Sequence, residues 1–153
     1  MALTTVPSTM FTAGQTPAFN GISFPATQSA SSDANTLDDY EEGTFTFTDG
    51  SGAGLSITTI FAKYTKIGRQ VNIIFQIVFP TTANTNAIQL AGLPFITANY
   101  SSGVFGYNDS SSADRSFLIQ NGVNYIQIRN PASNRTNANY SGTEIHGQAT
   151  YYV

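Results

Sequence analysis

The chain has no cysteine and no tryptophan, a single histidine, and few charges of either sign. Without cysteine there is no disulfide, no thiol nucleophile and no cysteine-based zinc site, so stability has to come from packing and association. Charged residues make up 10% of the 153 residues, against roughly 25% in an average soluble domain. So thin a coat of charge fits a surface occupied by other subunits, or one covered with Ser, Thr and Asn, which are abundant here. Six basic residues that form no run, with a net charge of −3, argue against a nucleic-acid partner, because such binding rests on neutralising many phosphates. No stretch approaches the roughly 20 apolar residues of a membrane helix, so membrane insertion is not expected. Residues 1–10 show neither the basic start nor the apolar run of a secretory signal, so no signal peptide is expected.

The charges that exist are unevenly placed. Residues 1–50 carry six acids and no base, whereas residues 51–153 carry six bases and three acids. The two segments can attract each other within or between subunits, but acids in a solvated turn are the preferred reading. Residues 1–36 are rich in Thr, Ser, Ala and Pro, and their apolar side chains follow neither a helical nor a strand period. Pro7, Pro17 and Pro25 break any regular element. This reads as an extended arm, and Phe11, Phe19 and Phe24 give it the means to dock on a neighbouring subunit or a larger protein.

From Thr44 the pattern is that of β-structure. Residues 44–48 alternate Thr with Phe, and residues 55–67 are rich in β-branched and aromatic side chains. Residues 69–79 form the strongest strand. Val71, Ile73, Phe75, Ile77 and Phe79 share one face, with Ile74 and Val78 on the other. A strand apolar on both sides belongs in a sheet centre or at a subunit contact. Further strands are expected near residues 87–90, 103–107, 116–119, 123–129 and 143–153. The stretch 130–141 reads as an Asn-rich loop, and no window carries a capped helical period. Turn signals recur at spacings close to those of a sandwich. The expected fold is all-β, an antiparallel β-sandwich or jelly-roll-like domain over residues 44–153, preceded by an attachment arm and acidic linker over residues 1–43.

Three segments are specific enough to compare. Phe24-Pro25-Ala26-Thr27-Gln28, then Asp33-Ala34-Asn35-Thr36-Leu37-Asp38-Asp39-Tyr40-Glu41-Glu42-Gly43-Thr44, is followed by Tyr64-Thr65-Lys66-Ile67-Gly68 and by Gly92-Leu93-Pro94-Phe95. In that order they resemble a module of tailed-phage tail-fibre and related virion structural proteins, in which such a stretch joins an upstream shaft to a terminal β-domain. The resemblance covers about residues 21–95. Phe45 and Phe47 stand where the family often has Trp and Pro. The resemblance implies a virion protein, made in the host bacterial cytoplasm, that is a homotrimer attached to other virion proteins through its arm. It also implies a tail-fibre-like role in host attachment by multivalent binding of a surface glycan. A capsid-decorating or head-fibre protein is the alternative, since only about 20 residues precede the match, and a tailspike depolymerase is a third.

Enzymatic chemistry has little to build on. Asp38, Asp39, Glu41 and Glu42 could offer oxygen ligands to a cation, but their spacing lacks the alternation of a calcium loop. A turn facing Lys63, Lys66 or Arg69 is the better reading. Asp109, Asp114 and Glu144 are the acids after Asp49, and nothing in the sequence pairs two of them across a cleft as glycoside hydrolysis requires. His146 lies beside Glu144 with no nucleophile motif. The Gly-rich residues 50–54 lack the Gly-Lys-Ser/Thr ending of a phosphate loop. No catalytic residue, metal site or cofactor is therefore expected. The candidate ligand contacts are loop residues whose rings and amides suit sugars: Tyr100, Tyr107, Asn108, Asp109, Arg115, Asn134, Arg135 and Tyr140.

Overall fold

A computed structural model describes residues 37, 39–112, 114–129 and 133–153. The expected arm over residues 1–36, with its phenylalanines, lies outside the described residues. The strong apolar alternation near residue 70 becomes a strand, Gln70–Val78 (β4). Its inward side chains Val71, Ile73, Phe75 and Ile77, and Phe79 just beyond, are each at most 1% exposed. Burying side chains of this size stabilises by roughly 1.5–3 kcal/mol each. On one side β4 pairs with Thr58–Ile67 (β3), through a tight turn at Gly68, and on the other with Glu144–Tyr152 (β9).

The described residues form one antiparallel sheet of nine strands, and the fold is all-β as its patterning requires. The remaining strands are Tyr40–Thr44 (β1), Thr48–Asp49 (β2), Gln89–Ala91 (β5), Ser101–Asn108 (β6), Ser116–Ile119 (β7) and Tyr125–Gln127 (β8). Their order across the sheet is β1-β3-β4-β9-β6-β7-β8-β5-β2. The two edge strands, β1 and β2, are successive halves of one segment. Phe45 N donates to Ala62 O beside β1 (3.1 Å), whereas Gly50 N donates to Gln89 O beside β2 (2.9 Å). A sheet whose first and last strands share one stretch of chain has to curl, so its opposite sides meet as the layers of a sandwich do. Phe47, carried inward between the two edges, packs edge-on against Phe75 at 4.8 Å, and Phe75 reaches Phe117 on β7 at 5.9 Å.

Two expectations are corrected here. Residues 44–48 are not a single alternating strand, because residues 45–47 carry the chain from one sheet edge to the other. The acidic stretch is not a turn: Tyr40–Thr44 is a strand in register with β3, Tyr40 opposite Ile67 and Glu42 opposite Thr65. The sheet thus takes in residues 40–43, which the sequence pattern leaves in the linker. The Asn-rich loop contains a 3₁₀ turn, Asn137–Tyr140; residues 130–132 of that loop lie outside the described residues.

Glycines shape the interior where rings need room. Gly147 faces Phe75 across the β4–β9 pair, and a Cβ there would lie 2.3 Å from the Phe75 ring. Gly92 has φ +101°, and a Cβ would sit 2.3 Å from the Thr46 carbonyl oxygen, so only glycine lets these backbones approach.

Buried tyrosines link this fold to pH. Burial, and a hydrogen bond to Asp114, push the Tyr140 phenol up from its ordinary 10.0, and burial does the same to Tyr151. The hydrogen bond to Glu41 pushes Tyr64 up to about 12. A proton held more tightly in the folded state stabilises fully below the unfolded pKa and is lost as pH rises through the folded value. The urea midpoint is therefore expected to show no tyrosine-linked decline up to about pH 9 and to fall above about pH 10. A midpoint unchanged at pH 11, followed together with phenolate absorbance, would contradict the placement of these rings.

Candidate functional site

The loop residues singled out by the sequence do not form one ligand site. Asn108, Arg135 and Tyr140 converge on Asp114. Arg135 Nε and Nη2 donate to the two Asp114 carboxylate oxygens at 2.8 and 3.0 Å, and Tyr140 Oη donates to Asp114 Oδ2 at 2.9 Å. Asn108 Nδ2 donates to Tyr140 Oη (3.2 Å) and to the Asp114 carbonyl (3.0 Å). Bidentate pairing uses the guanidinium fork fully. Tyr140 is fully buried, so its ring offers no stacking face to a sugar. This cluster holds the β6–β7 connection to the 3₁₀ turn. Asp109 Oδ1 likewise accepts from Glu144 N at 2.8 Å. Tyr100, Arg115 and Asn134 are exposed, the last two next in sequence to Asp114 and Arg135, and Tyr107 faces solvent on β6 beside His146.

The described parts of the three segments that carry the family resemblance, residues 39–44, 64–68 and 92–95, meet at one place. Lys66 on β3 points inward and forms a buried ion pair with Asp39, their side chains 8% and 10% exposed. Its ammonium lies 5.6 Å from the centre of the Phe95 ring. Tyr64 donates to Glu41 on β1 and packs edge-on against Phe95 at 5.4 Å. A Cβ on Gly43 would collide with the Tyr64 ring at 2.6 Å. The acidic segment, the Tyr-Thr-Lys-Ile-Gly hairpin and the Gly-Leu-Pro-Phe turn are thus parts of one fastening at the point where residues 1–36 join the sheet. The expectation that Lys66 faces the acids is met within the chain, through Asp39.

A second feature is the outer face of β3, β4, β9 and β6. Two bulges mark it. Ile60 is the extra residue between Thr59 and Phe61 on β3, and Gly106 the extra one between Phe105 and Tyr107 on β6. A bulge inserts one residue and reverses the side-chain alternation after it. Phe105 is buried, and strict alternation would bury Tyr107 too; the bulge turns Tyr107 out, 48% exposed. On β3 the bulge leaves both Ile60 and Phe61 facing solvent. The register then lines up Phe61, Gln76, His146 and Tyr107 in one row across four strands. The next row holds Lys63, Ile74, Gln148 and Val104, with Ile74 and Val104 at 44% and 49% exposure.

The centre of the row is polar and ordered. Gln76 Nε2 donates to Glu144 Oε1 at 2.7 Å, and His146 Nε2 lies 2.6 Å from the same oxygen. The His146 and Gln76 hydrogen bonds hold the Glu144 carboxyl below its ordinary range. The Tyr107 ring lies 5.1 Å from that of His146. A hollow of about 260 Å³ opens here between Phe61, Ile74, Val104, Gly106, His146 and Gln148. Past Ile74 a shallow trough of about 430 Å³ continues over Lys63, Asn72 and Glu42. The sequence gives a partial signal for this face, since Ile74 and Val78 are apolar on the outward side of β4, but alternation alone places Tyr107 inside.

Among the described residues no three His, Asp or Glu side chains gather as a metal ion would require. Comparison with family models, with curated proteins and with solved structures gives no match to this chain.

Proposed function

We propose that this chain is a structural protein of a phage particle, a tail-fibre-like module that works as a homotrimer and attaches to a host surface rather than transforming a substrate. The observation that carries the reading is the convergence of the three resembling segments on one fastening around Asp39, Tyr64, Lys66 and Phe95. Residues far apart in sequence join there to fix the start of the sheet, not to hold a ligand. That is what a module hung from an arm needs, because force between particle and domain passes through β1. In this reading residues 1–36 bind other virion proteins and the β-domain projects. Three copies on one body convert weak single contacts into firm attachment through effective concentration. The thin charge coat, 10% of residues, fits a chain that shares much of its surface with copies of itself. The alternative of a capsid-decorating or head-fibre protein has the same architecture and differs in where the arm docks.

Light scattering on the full chain and on residues 37–153 tests the assembly. The expected result is a trimer in both forms, since the proposal places self-association in the β-domain and attachment in the arm. A monomer in both forms would sink the fibre reading.

A further inference from the structure

We propose that the outer-face row of Phe61, Gln76, His146 and Tyr107, with Ile74, Gln148 and Val104 beside it, is a binding strip for a linear, uncharged oligosaccharide of a bacterial surface. The proposal rests on the host-attachment reading above; it keeps Tyr107 as a ligand contact and moves the others from the loops to the sheet.

The first argument is how the row is made. Two bulges on strands that are not neighbours, at Ile60 and Gly106, act on the same row. Each leaves an aromatic side chain in solvent at one end of it, Phe61 on β3 and Tyr107 on β6. Bulges re-aim side chains and cluster at functional sites. Gly106 leaves open space above its backbone, with nothing within 4 Å of where a Cβ would be, so the hollow beside Tyr107 stays open.

The second argument is chemical. Apolar and polar side chains are interspersed over the strip: Gln and His stand between the Phe and Tyr rings in one row, and Lys, Ile, Gln and Val alternate in the next. A pyranose ring has apolar C–H faces and a rim of hydroxyls, so it needs aromatic or aliphatic surface next to amides and carboxylates. Gln76, Glu144 and His146 are already tied to one another, at 2.7 and 2.6 Å, and so present oriented donors and acceptors at little entropic cost. The charged groups facing the row are Glu144 and Lys63, of opposite sign, which selects neither a polyanion nor a polycation.

The third argument is size. Three strand spacings put Phe61 and Tyr107 about 14 Å apart, the reach of a short oligosaccharide. The row beyond is polar, with Asn72 Nδ2 bonded to Thr150 Oγ1 at 3.0 Å, so the apolar part is only two rows deep.

The test uses the full chain on a microarray of bacterial capsular and O-chain polysaccharides, with the strongest binder then titrated by calorimetry. Binding to at least one uncharged polysaccharide is expected, with Tyr107→Ala and Gln76→Ala each weakening it about tenfold or more. Ile96→Ser, which removes an exposed apolar side chain from a separate loop, should bind as the parent does. Tyr107 is 48% exposed, so its removal should leave the melting temperature in place, and Phe61→Ser tests the other end of the row independently. Binding that survives both Tyr107→Ala and Phe61→Ser overturns the site. So does a silent array with a chain that still adheres to bacterial cells, and in both cases the attachment reading stands. A silent array with no adhesion to any strain removes both. A fall in solution mass on Tyr107→Ala would show that the strip is a contact between copies, and would overturn the glycan assignment.

Discussion

Replacing Phe75 with alanine is expected to lower the unfolding free energy by about 3–5 kcal/mol, a large share of the total for a domain of this size. Phe75 is 1% exposed and stands where the two sides of the curled sheet meet, touching Phe47 from the edge-crossing segment and Phe117 from β7. Its ring also lies over the backbone of Gly147, in the space that a side chain there would fill. Truncation would leave a void bordered by strands from both sides, which cannot collapse without breaking their pairing. The urea midpoint should fall at an unchanged slope. Gly147→Ala should be destabilising for the opposite reason, since its methyl would lie 2.3 Å from the Phe75 ring. Because the two changes compete for one volume, Phe75→Leu with Gly147→Ala should cost less than the sum of the single changes. Simple additivity, or a loss below about 1 kcal/mol for Phe75→Ala, would show that this ring does not join the two sides.

Lys66→Met should cost about 3–5 kcal/mol, because it leaves the Asp39 carboxylate buried without its partner. The pair is nearly closed to solvent, at 8% and 10% side-chain exposure. The second expectation separates charge from packing. Methionine keeps the aliphatic stem over Phe95, so adding Asp39→Asn to Lys66→Met should recover most of the loss. If it does not, the cost lies in the ammonium–ring contact at 5.6 Å and not in the ion pair. Hydrogen exchange gives the local readout. Amide protection should drop first in Tyr40–Thr44, the strand that this pair pins to β3. Loss of protection spread evenly over the sheet would contradict the role of the pair as a fastening of the chain entering the domain.

Much of this architecture can be read from local pattern. The alternation of Val71, Ile73, Phe75, Ile77 and Phe79 is enough to predict a central strand with one buried face, and all five are buried. The last strand, with Ile145, Ala149 and Tyr151 in one register, follows the same rule. Side-chain alternation is a property of the single strand, so no partner has to be known. The candidate site was less legible, and the failures share a cause. Tyr140 looks like a ligand-facing tyrosine in a polar loop, but the 3₁₀ turn buries it against Asp114. Tyr107 is a candidate contact by residue type alone, and its exposure has a tertiary cause: it falls two residues after buried Phe105, and pairing with His146 across a bulge turns it outward. Lys66 is one of three cations the sequence offers to the acids, and only the fold selects it, by placing Asp39, 27 residues away, beside it.

The sequence by itself determined the all-β class, the buried faces of Gln70–Val78 and Glu144–Tyr152 and the absence of thiol chemistry, because these follow from composition and from the two-residue period of an extended chain. Tertiary structure alone decided that residues 40–49 divide between two sheet edges, that two bulges aim Phe61 and Tyr107 at the same outer face, and that three distant segments close on one ion pair. Register between strands tens of residues apart is set by which pairing buries the most apolar surface while satisfying every backbone hydrogen bond, and that is a property of the whole sheet rather than of any window in the chain.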